Sequence, residues 1–302
     1  MSAIFWKEMA DHFGRRRFLF LLGLVVFGLL WALSVALREI PGVFRSTDDF
    51  LFLQLFVSSS GVLPPLIFFI SFFGPLAGII LGFDSINSER LQGTLARVLS
   101  QPVYRDAVYN GKFLAGAATL AIVIIAMVIS IIGMGMFIFG IPPSGEEIIR
   151  IIGFTVVSIA FVSLWLAMAM TCSIFFRSTV VSSMVAIGLW VFATFFILLL
   201  ASAVADFFIE DVTDPLYFQV ESWVSRVSPS FLFSEATEAL LSPGVRSLGP
   251  LLQTQVSGLL TTPVSASQSL GLVWFHIVAM VSAVAVFLAL SYTKFVREEI
   301  RS

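Results

Sequence analysis

The chain has 302 residues, 58% of them hydrophobic and 12% charged, with a mean hydropathy of +1.01 and a formal net charge of −2. Soluble domains carry roughly 25% charged residues, so this composition excludes an ordinary soluble globule. One cysteine, Cys172, excludes an internal disulfide, and nothing in the charge pattern points to nucleic acid.

The first predicted element is a helix lying at the membrane interface, within residues 1–17. In "IFWKEMADHFGRRR" the residues Phe5, Trp6, Met9 and Phe13 share one helical face, and charged residues fill the rest. Phe18–Leu37 then begins a series of six uncharged apolar runs, each long enough to cross a bilayer, for which about 18 residues suffice. It is too long for a signal-peptide core and lacks a cleavage site, so it reads as a retained span. The second run, Gly61–Phe83, carries Gly74, Gly78 and Gly82 four apart, a spacing that lets another helix backbone approach closely.

A polar interruption, Asp84–Lys112, follows: "DSINSERLQGTLARVLSQPVYRDAVYNGK". Asp84–Gln92 is expected to continue the second span, with Gly93 ending it. Thr94 is expected to cap a short helix whose Leu95, Val98 and Leu99 form an apolar edge. Pro102 then starts the helix leading into the third run, Phe113–Gly140, which spans about 42 Å at 1.5 Å per residue.

The fourth and fifth runs are about Ile151–Phe176 and Ser178–Ala205, and the sixth is Gly271–Thr293. Between the last two lies Asp206–Leu270, expected to hold two short amphipathic helices. Asp214–Pro215 starts one, with Leu216, Val220, Trp223, Val224 and Val227 as its stripe. Ser228–Pro229 starts the other, with Leu232, Ala236, Ala239 and Leu240.

Lys7, Arg15, Arg16, Arg17, Arg90, Arg97, Arg105, Lys112, Arg177, Lys294, Arg297 and Arg301 fall on one side of the spans. Only Arg38, Arg45, Arg150, Arg226 and Arg246 fall on the other. Positive charge marks the cytoplasmic side, so both termini and residues 84–112 are expected in the cytosol and residues 206–270 outside. His276 is the one ionisable residue expected inside the membrane, and a lone His is expected to hydrogen-bond a neighbouring helix. The sequence contains no HExxH, no GxSxG and no carboxylate pair within a span, and thus no catalytic or metal-ligating set. "NGKF" at Asn110–Phe113 lacks the glycine and the Ser or Thr of a phosphate-binding loop, so ATP, if used, is held by another chain.

With these residues in view, the segment resembles that between the second and third membrane helices of type-two ABC exporter permeases. That family's pattern is filled in order by Asp84, Glu89–Arg90, Gly93–Thr94–Leu95, Leu99–Ser100, Pro102–Val103, Arg105 and Gly111–Lys112. "WKEMADHFGRRRF" likewise resembles the family's elbow helix. The resemblance implies an all-α permease forming one transmembrane domain, residues 1–302, in the plasma membrane. It implies that residues 84–112 dock a separate cytosolic ATPase, which holds ATP and magnesium, and that two permease copies work together. It implies no enzymatic activity in this chain and no cofactor bound by it. Two outcomes stay open: export of a substrate, or mechanical work on an extracytoplasmic protein met at 206–270.

Overall fold

The computed structural model describes residues 2–14, 50–57, 66–93, 105–209, 211, 214–245 and 264–297, together with 19, 21–23, 25–31 and 34. Among the described residues every regular element is helical. In chain order these are α1 (Ser2–Gly14), α2 (Leu21–Trp31), α3 (Leu51–Val57), α4 (Leu66–Gly82), α5 (Asn87–Leu91), α6 (Arg105–Phe139) and α7 (Gly145–Phe175). Then come α8 (Thr179–Val191), a π-helical turn (Phe192–Phe196), α9 (Ile197–Phe208), α10 (Pro215–Ser225), α11 (Pro229–Leu241) and α12 (Ala266–Arg297).

Five helical stretches are long and apolar enough to cross a membrane: Leu66–Leu91, Ala107–Phe139, Gly145–Phe175, Thr179–Phe208 and Ala266–Phe295. They correspond to the second to sixth predicted spans. The first predicted span, Phe18–Leu37, meets only the shorter α2, and several of its residues lie outside those described. The observed helices also run past the predicted bounds. α6 is already helical at Arg105, in line with the expected helix leading into the third run at Phe113.

α7 is the centre. It buries 72% of its most apolar stretch, against 17% for Thr179–Phe208 and for Ala266–Phe295, and it packs on α4, α6, α8, α11 and α12. Its start is fixed by a reciprocal cap: Ser144 Oγ accepts the Glu147 N–H at 3.3 Å, and Glu147 Oε2 accepts the Ser144 N–H at 2.8 Å. Glu147 Oε1 also accepts the Phe52 N–H at 2.7 Å, which anchors α3 beside it.

The glycine face of α4 lies against α7. A Cβ on Gly78 would stand 2.7 Å from the Val162 carbonyl oxygen and 2.9 Å from the Leu166 nitrogen. One on Gly82 would meet the Leu166 carbonyl oxygen at 2.8 Å, and one on Gly74 the Val162 side chain at 2.9 Å. The two helix backbones thus touch at Gly78 and Gly82, a contact that any side chain there would wedge apart.

α10 and α11 form a hairpin that re-enters the bundle. α10 runs back alongside α9, held near its start by the Tyr217 hydroxyl donating to Asp206 Oδ1 at 2.9 Å. At the hairpin tip Ser228 Oγ donates to the Ala193 carbonyl at 2.6 Å, and Ser230 Oγ shares a hydrogen bond with Thr194 Oγ1 at 3.0 Å. Ala193 stands in the π-turn, midway along Thr179–Phe208, so the tip reaches mid-span depth. α11 then climbs back between α7 and α12, with Phe233 stacked on Phe161 at 4.4 Å. Asp214 and Ser228 cap the two helices, each followed by a proline at the first helical position.

Candidate functional site

The bundle end that carries α1 and α5 also carries most of the described basic residues, and it is called the basic end below. The chain turns there between α4 and α6. The expectation of one helix from the second span through Gln92 is corrected by a turn at residues 83–86, after which α5 starts afresh. The turn is held by the neighbouring span. Ser173 Oγ of α7 accepts both the Ile86 N–H at 3.1 Å and the Asn87 N–H at 3.2 Å. α5 has no cap from its own side chains, so a serine on another helix supplies it. Ser182 Oγ of α8 donates to the Phe83 carbonyl at 2.7 Å, taking up the end of α4. Arg90 Nη1 donates to the Ile174 carbonyl at 3.4 Å, so this arginine serves the bundle. Gly93 ends α5 at φ +67°, a left-handed conformation natural to glycine.

A buried lysine ties the same segment to α6 and α1. Lys112 Nζ reaches Glu89 Oε1 at 2.9 Å and Glu8 Oε1 at 3.0 Å, and its side chain is 5% exposed. Lys7 stands at the edge of the pair, 3.4 Å from Glu8 and 3.8 Å from Glu89. One position earlier, Gly111 seats α1: a Cβ there would lie 3.0 Å from Ile4 Cγ2. Ile4 and Glu8 are one turn apart on α1, so glycine and lysine together receive two of its inward residues. A cavity of about 250 Å³ opens beside the cluster, lined by Lys7, Glu8, Asp84, Glu89 and Lys112 and by Leu81, Leu166 and Met170 of the spans.

Burial would raise the Glu8 carboxyl, but the attraction and hydrogen bond of Lys112, with Lys7 behind it, outweigh burial and leave it below the usual carboxylate range. A depressed folded-state value adds stability above the ordinary carboxylate range and loses it as pH falls through the folded value. The docking of α1 is therefore expected to hold at neutral and mildly acidic pH and to fail only below the usual carboxylate range. Proteolytic release of the N-terminal segment, followed as pH is lowered, checks this. Release starting near neutrality would contradict it.

Of the residues singled out in sequence, Asp84, Glu89, Arg90, Gly93, Gly111 and Lys112 gather at this junction. Thr94, Leu95, Leu99 and Pro102 lie outside the described residues, as does the side chain of Arg105. Sequence reasoning missed Glu8, Ser173 and Ser182. Glu8 sits in a recognisable amphipathic helix, four residues after Ile4, and that was its only signal.

It also missed a second ionic cluster. His276 is fully buried, and its Nε2 lies 2.8 Å from Glu235 Oε2 of α11. Arg226 grips the same carboxylate with two donors, Nη2 at 2.8 Å and Nε at 3.0 Å. His276 thus hydrogen-bonds a neighbouring helix as expected, and the partner is charged, because the hairpin carries Glu235 and Arg226 beside it. Arg150 is likewise fully buried. It donates to the Leu240 carbonyl at 2.8 Å, to Ser269 Oγ at 3.0 Å and to the Val264 carbonyl, which binds the end of α11 to α7 and α12.

Helices of membrane length around a buried central one, with ion pairs at the basic end and beneath the hairpin, define a polytopic membrane protein of the helical-bundle class. The chain belongs to the ABC-2 family transporter proteins: the model of that family matches residues 2–300. This agrees with the resemblance read from residues 84–112, and it makes the chain a membrane component of an ABC transporter. No curated protein matches it.

Proposed function

We propose that this chain is the permease subunit of an ABC exporter, working in pairs in the plasma membrane with a separate ATPase at the basic end. The observation that carries the reading is the junction around α5. A short segment at the basic end is fastened to α7 by Ser173 and Arg90, to α8 by Ser182, and to α6 and α1 by Lys112. A push on such a segment moves the central helix and its neighbours as a unit, which is what transmission from an outside motor requires. In this reading residues 94–102 enter a groove on the ATPase, both termini are cytosolic, and ATP and magnesium stay on the partner.

Purified alone, the chain is expected to show no ATP hydrolysis, and affinity purification from membranes is expected to retain a P-loop ATPase in equal amount. Steady hydrolysis by the isolated chain would overturn the proposal. So would recovery of the intact chain with no ATPase in any mild detergent.

A further inference from the structure

We infer that the edge of α10 bearing Gln219, Ser222 and Arg226 lines a water-filled passage in the half of the membrane away from the basic end. The inference rests on the export reading and names where a polar or amphiphilic solute would travel. These residues are three and four positions apart, so on a helix they form one stripe. Gln219 is exposed and Ser222 half-exposed, and the Arg226 side chain keeps 19% of its exposure even while it grips Glu235.

Depth makes the stripe unusual. Tyr217 meets Asp206 near the end of α9, and Ser228 meets Ala193 at mid-span. Between those contacts the chain descends roughly 16 Å, most of a bilayer leaflet. Hydrocarbon offers no partner for an amide, a hydroxyl or a guanidinium, so polar side chains at that level face water or protein. The next edge of α10 is different: Leu216, Trp223 and Val227 are all exposed and apolar. Trp223 stands over Arg226, the guanidinium carbon 5.4 Å from its ring centroid, and screens the charge from that greasy side. The boundary between a wet edge and a lipid edge therefore runs along α10.

The test is thiol accessibility in membrane vesicles carrying the whole transporter, with Cys172 replaced by alanine. Gln219→Cys and Ser222→Cys are expected to react with a charged, membrane-impermeant methanethiosulfonate from the same side as Ser267→Cys. They should do so roughly ten-fold or more faster than Leu199→Cys, which lies exposed on α9 among apolar residues. Reaction with an apolar maleimide alone would place the stripe in lipid and overturn the inference. Reaction only after detergent has dispersed the assembly would place a second copy over it, with the same consequence. Labelling is read whether or not an ATPase is bound, so failure of the ATPase experiment and failure of this one are separate results.

Discussion

Replacing Lys112 with methionine is expected to detach α1 from the bundle and to disable whatever the basic end transmits. The ammonium is nearly enclosed, and of the two cations beside Glu8 and Glu89 it is the closer and the more deeply buried, Lys7 standing at the exposed edge. Methionine fills much the same space but leaves two largely buried carboxylates facing each other with only the exposed Lys7 at their edge. Breaking a buried pair by removing one partner costs about 3–5 kcal/mol, the desolvation penalty of the charge left behind. The purified transporter should melt earlier, its N-terminal segment should become open to proteases, and solute-stimulated ATP hydrolysis should fall. Exchanging the charges, with Glu8→Lys and Lys112→Glu together, again puts one lysine between two carboxylates and should restore much of the lost stability. If Lys112→Met melts like the parent and keeps α1 protected, the three charges are no more than a solvated surface group.

The second large effect is expected from the smallest change, Gly78→Ala. The new methyl would press on the Val162 carbonyl oxygen and the Leu166 nitrogen, atoms of a central helix that cannot yield singly. α4 must back away from α7 over its length, opening the contacts at Gly74 and Gly82 as well. Overpacking of this kind costs typically 1–3 kcal/mol, and the backbone neighbours place this case at the upper end. Gly133→Ala on α6 is the control: nothing lies within 4 Å of its added Cβ, and alanine exceeds glycine in helix propensity by about 1 kcal/mol. The two variants should shift thermal unfolding in detergent in opposite directions. Equal melting of Gly78→Ala and the parent would mean that α4 and α7 can separate freely.

Much of the fold was open to reading because a bilayer demands long uncharged runs, and five such runs return as helices whose bounds extend as far as eight residues beyond the expected ones. The turn at residues 83–86 was not, because its cause is Ser173, some ninety residues away and featureless in sequence. Glu235 was hidden for a related reason. Its helix is too short and too polar to read as membrane-embedded, and only the climb of α11 beside α12 brings it to His276. Asp214–Pro215 and Ser228–Pro229, by contrast, announced their helices through local chemistry, and both helices begin there. What the motifs at the basic end could not convey was direction. Arg90 and Lys112 read as outward contacts, and each turns to its own bundle.

The hairpin has a bearing on how the protein is made. Its anchors lie on α7 and in the π-turn, which precede it, and on α12, which leaves the ribosome after it. Until α12 arrives, Glu235 lacks His276 and the end of α11 lacks Ser269 beside Arg150. Without α12 the hairpin keeps its Arg226–Glu235 pair and its anchors on α7 and the π-turn but lacks these two partners. The hairpin's polar set is therefore complete only when α12 packs against it, so α11 and α12 are expected to fold as one unit.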